Sequence, residues 1–328
     1  MSKNVSIIDV AKEAGVSTAT VSHVINRTRF VSDETRKRVN DAIKELGYAP
    51  NASARTLKTG KTNKIQFIIP DVDNAFFTSL IESIESALTK HGYQLLLANT
   101  HENWETELSY LRTVNKSIVD GLILATTQTD WNTLKQNLPA DLPVVLLDRK
   151  PKGCDIDCVW ISTYHACHEA LLKLIEWGHR KIGLIAARPS LSTSVERNNA
   201  YNDAISANNL EKFISPGDSL RNSSPKHYQE LVGKGCTAIL IANGRMTDDI
   251  IYYQYEHPEE MARNVTLCGF RESSKVHRLT PIAVSQPSEQ MGEYAAGRIM
   301  TLIKNRHARP KEKILQAVCE VRSDFIKS

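Results

Sequence analysis

The chain has 328 residues, 41% of them hydrophobic and 24% charged, which is the composition of a soluble globular protein and, at this length, suggests two or three domains with cores of their own. No run of eighteen apolar residues occurs and MSKNVSII lacks the apolar segment of a signal peptide, so the expectation is a cytoplasmic protein with no membrane partner. Of the charges behind the net +4, residues 1–64 hold twelve Lys and Arg against six Asp and Glu, and the remainder hold 29 against 31, so a polyanion partner is expected for the N-terminal part alone.

From Ile7 to Asn26 the chain reads IIDVAKEAGVSTATVSHVIN, a pattern of two short helices joined by a tight turn. Ile7, Val10, Ala11 and Ala14 recur at helical spacing, Ser6 with Asp9 forms a capping box, and Gly15 supplies the positive φ of a sharp exit. Ser17 caps a second helix that buries Val21, Val24 and Ile25, leaving Thr18, Ala19, Ser22 and His23 outward. Small hydroxyls, a methyl and an imidazole on the exposed start of a second helix suit the base edges of a major groove. The plain alternative is a helical hairpin packed on something else.

Arg27, Arg29 and Phe30 follow in a loop. Ser32 then caps a third helix with Asp33 and Glu34 in its first turn, Val39, Ala42, Ile43 and Leu46 as its buried stripe and Gly47 at its end. Residues 51–58, NASARTLK, have a good cap but no stripe wide enough to pack, so alone they fray. Helical only when held on DNA, such a segment could set Leu57 as a minor-groove wedge between Arg55 and Lys58; a plain linker, as at 59–63, fits the spacing equally well.

The run DVAKEAGVSTATVSHVINRTRFVSDETRKRV and the hinge GYAPNASARTLK together resemble the LacI/GalR repressor family. The resemblance covers essentially the whole chain, most specifically at the N-terminus and more loosely beyond residue 150. It implies a DNA-contacting set of Ser17, Thr18, Ala19, Thr20, His23, Asn26 and Arg29 in the head, with Asn51, Ala54, Arg55, Leu57 and Lys58 in the hinge. Leu57 and its copy from a second subunit would intercalate at the centre of a near-palindromic operator, usually at a CG step. Ala19 stands where a family member carries a second groove-facing threonine, so the base opposite it can differ.

From Ile65 the period changes. Apolar runs at 65–69, 93–98, 121–125 and 144–147, and a second series at 181–187, 238–243 and 265–270, alternate with helical stretches, as parallel strands covered on both faces do. The expected fold is therefore α/β: a three-helix helix-turn-helix head (1–50), a hinge helix and linker (51–63), and two doubly wound parallel-sheet lobes (64–328). Ligands of such sheets bind beyond the carboxyl ends of the strands, here between lobes. The resemblance implies a periplasmic-binding-protein-like core, one lobe at about 64–161 plus 287–317 and the other at about 162–286 plus 318–328. WGHRKIGLI and TPIAVSQPSEQMGEYAA match its crossing regions.

No P-loop, GxGxxG, GxSxG or HExxH occurs, so neither an enzyme nor a cofactor is expected. The six cysteines form no CxxC pair; Cys154, Cys158, His165, Cys167 and His168 cluster in sequence without standard zinc spacing and read as surface thiols and helix-borne histidines. By resemblance, effector contacts fall on Phe76, Phe77, Thr126, Asp148, Arg149, Arg197, Asn243 and Gln286. Arg271, Gly244, Ser162 and Thr163 replace acidic or amide groups usual in the family. An Arg at 271 needs an anion or must turn out to Glu272, so a carboxylate or phosphate gripped by Arg197 and Arg271 is the expected effector. The expected function is a homodimeric, effector-controlled transcription regulator of the bacterial nucleoid, most simply a repressor. The rivals are an activator or global regulator answering to a partner protein, and a cytoplasmic binding protein or enzyme with a borrowed head.

Overall fold

A computed structural model describes residues 5–26, 28–49, 60–217, 223–261, 264–271 and 280–322. The chain divides into two compact units, Met1–Thr62 and Asn63–Ser328.

The first unit holds α1 (Ile7–Glu13), α2 (Thr18–Asn26) and α3 (Asp33–Leu46). Each boundary has a local cause. Ser6 and Asp9 satisfy each other's backbone N–H in a capping box. Gly15 turns the chain at φ +63°, and Ser17 Oγ accepts from Thr20 N at 3.1 Å to start α2. Ser32 caps α3, and Gly47 ends it at φ +60° with its N–H on the carbonyls of Ile43 and Lys44. Val10, Ala11, Ala14, Val21, Val24, Val39 and Ala42 form the core, flanked by Ile25, Ile43, Leu46 and Tyr48. So small a core gives only modest stability.

In the second unit the expected apolar runs are β1 (Lys64–Ile69), β2 (Gln94–Asn99), β3 (Gly121–Leu124), β4 (Val144–Leu147), β6 (Ile182–Ala186), β8 (Ala238–Ile241) and β9 (Thr266–Arg271). Five further strands complete the sheets: β5 (Cys158–Ser162), β7 (Phe213–Pro216), β10 (Ile282–Ser285), β11 (Glu312–Gln316) and β12 (Val318–Val321). One sheet runs β11-β5-β4-β3-β1-β2, all parallel. The other runs β12-β10-β9-β8-β6-β7, parallel except for β12 against β10.

Helices α4 (Ala75–Thr89), α5 (Trp104–Thr113) and α6 (Trp131–Asn137) follow strands of the first sheet. Helices α7 (Tyr164–Glu176), α8 (Ser192–Ala207), α9 (Ser224–Gly233), α10 (Gly244–Glu256) and α11 (Pro258–Met261) belong to the second series. The chain leaves the first sheet after β5 and comes back after β10, because α12 (Ser288–Lys304) packs against α4 and strands β3, β4 and β5. That contact is close: a Cβ on Gly292 would lie 1.9 Å from Ser83 Oγ. A third passage is the single residue Ala317 between β11 and β12, whose strands lie in different sheets. Each lobe is thus closed by sequence from the far end of the chain.

Candidate functional site

Among the described residues, two groupings of polar side chains answer to the expected sites. The first is the outer face of α2. Ser17, Thr18, Ala19 and Asn26 are exposed, and Thr20, Ser22 and His23 are half-buried beside them. The hydroxyl of Thr20 meets Ser17 Oγ at 2.9 Å, and the Asn26 amide folds back onto Ser22 O at 2.8 Å. His23 Nδ1 bonds Thr28 Oγ1 at 2.8 Å, which fixes the ring and leaves Nε2 as the nitrogen able to meet a base edge. Arg29 is exposed in the following loop, next to Phe30 at 94% exposure. Asn51, Ala54, Arg55, Leu57 and Lys58 lie outside the described residues.

The second place is a cleft at the carboxyl ends of both sheets. Its lining includes Asp71, Phe76, Phe77, Glu102, Asp148, Arg149, Ser194, Arg197, Asn243, Arg245, Phe270 and Gln286. Phe76 and Phe77, rings edge-on at 5.3 Å, line the cleft while also packing into the core. Arg197 is buried: Nη1 donates to Ala242 O at 2.5 Å, Nη2 to Gln286 Oε1 at 3.3 Å, and Cζ lies 4.0 Å from the centre of the Phe270 ring. Asn243 caps α10, accepting from Met246 N at 2.8 Å.

Arg149 forks onto Glu102, with Nη1 to Oε2 at 2.8 Å and Nη2 on Oε1, and its Nε lies 3.7 Å from Asp148. Burial raises the pKa of Glu102, but the Arg149 guanidinium outweighs it and holds the carboxyl below its ordinary value. For Asp148 burial wins over Arg149 and Arg197, and its pKa rises. Its backbone sits at φ +66°, a region non-glycine residues seldom occupy, directly after β4.

Arg245, the second residue of α10, pairs with Asp71, just beyond β1. Arg188 donates to Thr127 O at 2.9 Å, and Lys150 N donates to Ser192 Oγ at 3.2 Å. These bonds draw the two series of elements together, and the enclosed space left is about 50 Å³. Ligand pockets are commonly ~300 Å³ or more, so the cleft is filled by its own ion pairs.

Two expected contacts are turned elsewhere. Thr126 gives its hydroxyl to the buried carboxylate of Glu107 at 2.5 Å and supports the loop beside the cleft without lining it. Arg271 pairs with Glu320 at 2.6 Å, because β10 brings β9 and β12 into one sheet; Glu272, its expected outward partner, lies outside the described residues. At 162 and 163, where an acid and an amide are usual, Glu196 accepts from Ser162 Oγ at 3.0 Å and from Thr163 N at 2.7 Å. Asp71, Glu102, Arg188 and Arg245 were not among the sequence candidates; each stands just past a strand end, which was the available signal. Cys158 and Cys167 are buried, not superficial, and burial raises Cys167 to about 12. Among the described residues no group of three His, Cys, Asp or Glu could hold a metal ion.

Compared with known proteins, residues 6–51 match the family described as bacterial regulatory proteins, lacI family, and residues 62–327 match periplasmic binding proteins and sugar binding domain of LacI family. The chain belongs to the LacI family. The HTH-type transcriptional repressor PurR of Edwardsiella ictaluri (strain 93-146) is 33% identical over 310 residues, 92% of this chain and 91% of that protein. PurR of Aliivibrio salmonicida (strain LFI1238) is 31% identical over 310 residues, 92% and 93%. Among solved structures, the transcriptional regulator CelR–cellobiose complex has 28% identity and a TM-score of 0.66, covering 97% of this chain and 99% of that one. The Lac repressor dimer bound to operator and the anti-inducer ONPF shares the fold at a TM-score of 0.80 and 21% identity, with 98% of each chain covered. This LacI-family chain is therefore a DNA-binding transcription regulator of the kind controlled by small-molecule effectors. No helix among its described residues is long and apolar enough to cross a membrane.

Proposed function

We propose that this LacI-family regulator is a repressor that reads its operator with Thr18, Ala19, Thr20 and His23 of α2, and that its effector is a small anion held in the cleft. The first part rests on the exposed, solvent-ready polar face of α2 in the unit that carries the chain's basic surplus. Ser17, Asn26 and Arg29 flank that face, and the hinge residues Asn51, Ala54, Arg55, Leu57 and Lys58 are proposed to join it on DNA. Selection of bound sequences from a random duplex pool tests it. A pseudo-palindrome with a central CG step is expected, and absence of enrichment with and without cell metabolites would overturn it.

The observation that carries the second part is Arg245. It stands in the first turn of α10, where the helix dipole and free N–H groups favour negative charge, and it lines the cleft together with Arg149 and Arg197. Its carboxylate partner, Asp71, stands in for the ligand. A carboxylate or phosphate would displace Asp71, take Arg245 and Arg197, and part the lobes, shifting the population between DNA-competent and DNA-incompetent forms. Phe76, Phe77, Phe270, Asp148, Asn243 and Gln286 would grip the rest of the molecule. Titration with phosphorylated sugars, organic acids and neutral sugars decides: binding of a neutral sugar alone sinks the anion, and binding of none transfers control to a protein partner.

A further inference from the structure

From the last residue of α12, through the loop, into the start of β11 the chain reads KNRHARPKEK at 304–313. Lys304, Arg306, Arg309 and Lys311 are all exposed, and among the described residues none of the four side chains meets an acid. Three acids around the loop are engaged otherwise, and Glu293, which shares a surface pocket with Lys311, forms no ion pair with it. Glu312 accepts from Lys150 Nζ and Trp160 Nε1, each at 2.6 Å, Asp141 pairs with Lys116 at 3.5 Å, and Asp155 pairs with Lys135 at 2.6 Å.

The backbone that carries these cations is held from below. Arg298 and Asp157 form a buried ion pair, and each also grasps the loop: Arg298 Nη2 donates to Arg309 O at 2.6 Å, and Asp157 Oδ1 accepts from Lys311 N at 3.0 Å. Lys311 O in turn accepts from Cys158 N at 3.1 Å. A buried pair spent on fixing a surface loop leaves four cations displayed from a firm base, with little backbone entropy to lose when an anion binds.

Topology gives the direction. All strands of the first sheet are parallel, so the start of β11 lies at the same end of the sheet as the start of β1. β1 begins at Lys64, two residues after the first unit ends at Thr62, so the chain enters the sheet at this amino end of its strands.

We propose that the 304–313 loop is a second DNA contact, setting its cations on backbone phosphates of the duplex that flanks the operator. The contact is independent of base sequence, because unpaired Lys and Arg on a loop neutralise phosphates and read no base edge. It rests on operator binding by the head, and the experiment separates the two.

Full-length protein is titrated, over a salt series, against its pool-selected operator as a duplex of roughly 20 base pairs, enough for two half-sites a helical turn apart. The same operator is then embedded in random flanks several helical turns long. The wild type is expected to bind the long duplex more tightly and with a steeper salt dependence. If each subunit places two cations on phosphates, the combined Lys304→Gln, Arg306→Gln, Arg309→Gln and Lys311→Gln variant loses four contacts per dimer. Its log–log salt slope on the long duplex then becomes shallower by about 3.6, so that raising salt from about 50 to 200 mM weakens wild type ~10²-fold more than the variant. On the short duplex the two proteins should match, which also reports that the variant folds and that the head works. Arg306→Lys with Arg309→Lys should keep the long-duplex advantage, since charge and not a fork is required. Equal affinity and slope for both lengths in the wild type overturns the proposal. So does equal loss on both lengths in the variant, or a variant intact on DNA that fails only to hold an acidic protein. No binding to any duplex would instead refute the reading of the head.

Discussion

Replacing Asp71 by Asn tests whether the ion pair that fills the cleft competes with the effector. The two side chains are 18% and 12% exposed, between a surface pair, worth ~0–1 kcal/mol, and a buried pair, whose breakage costs ~3–5 kcal/mol. The closing contribution is therefore about 1–2 kcal/mol. Asp71→Asn should lower the stability of the unliganded protein by that amount, read from urea denaturation. It should also strengthen the best anion of the titration panel by ~5–30-fold, read by isothermal titration calorimetry, because the internal carboxylate no longer has to be displaced. Arg245→Gln removes the same pair but should weaken the anion, since the cation is lost with it. Reduced stability of Asp71→Asn with unchanged or weaker anion binding would refute the argument and mean that Asp71 stays on Arg245 in the occupied cleft.

His23→Ala should cost about 1–3 kcal/mol at one base pair and relax preference there, measured against a panel of singly substituted operators. An unchanged preference removes His23 from the interface. Burial and the neighbouring Asp249 carboxylate raise Asp248 to about 6, against the pull of Arg245. Its folded value lies above its unfolded one, so the charged form is penalised: Asp248→Asn should stabilise the protein by on the order of 1 kcal/mol at about pH 7.5, after allowing for solvent screening. The gain should shrink as pH falls through about 6 and disappear towards about 3, where both states are protonated; urea midpoints that do not differ at the higher pH would contradict it. Gly292→Ala, a change that favours an exposed helix by ~1 kcal/mol, should here destabilise by about 1–3 kcal/mol, because the new Cβ meets Ser83. Adding Ser83→Ala should recover part of the loss in thermal denaturation.

The head was legible from sequence nearly to the residue because its boundaries are local. Ser6 with Asp9, Gly15, Ser17, Ser32 and Gly47 act within four residues of themselves. The central strands were equally plain as short apolar runs covered on both faces. The edge strand β11 was not: EKILQ alternates between exposed and half-exposed residues and carries no buried face. In the cleft, Arg197, Asp148 and Arg149 could be placed beforehand, because the resemblance points to them and two of them follow a strand directly. Their partners could not. Asp71 and Arg245 are 174 residues apart and meet only because two sheets present their carboxyl ends to each other. Arg271 shows the converse: its sequence neighbour Glu272 suggests a partner, whereas an antiparallel strand from far along the chain supplies Glu320.

The return of α12 and β11 to the first sheet also sets the order in which the protein can be made. Synthesis completes β1 to β5 by residue 162, yet the helix that packs on α4 and the strand that covers β5 come only from residues 288–316. Until then the emerging chain leaves the apolar sides of α4 and β5 without their covering elements, while β6 to β10 of the second sheet are made before them and β12 after. The first lobe to be started is thus among the last parts to close, and for most of the time on the ribosome the nascent regulator is a DNA-reading head followed by an unfinished core.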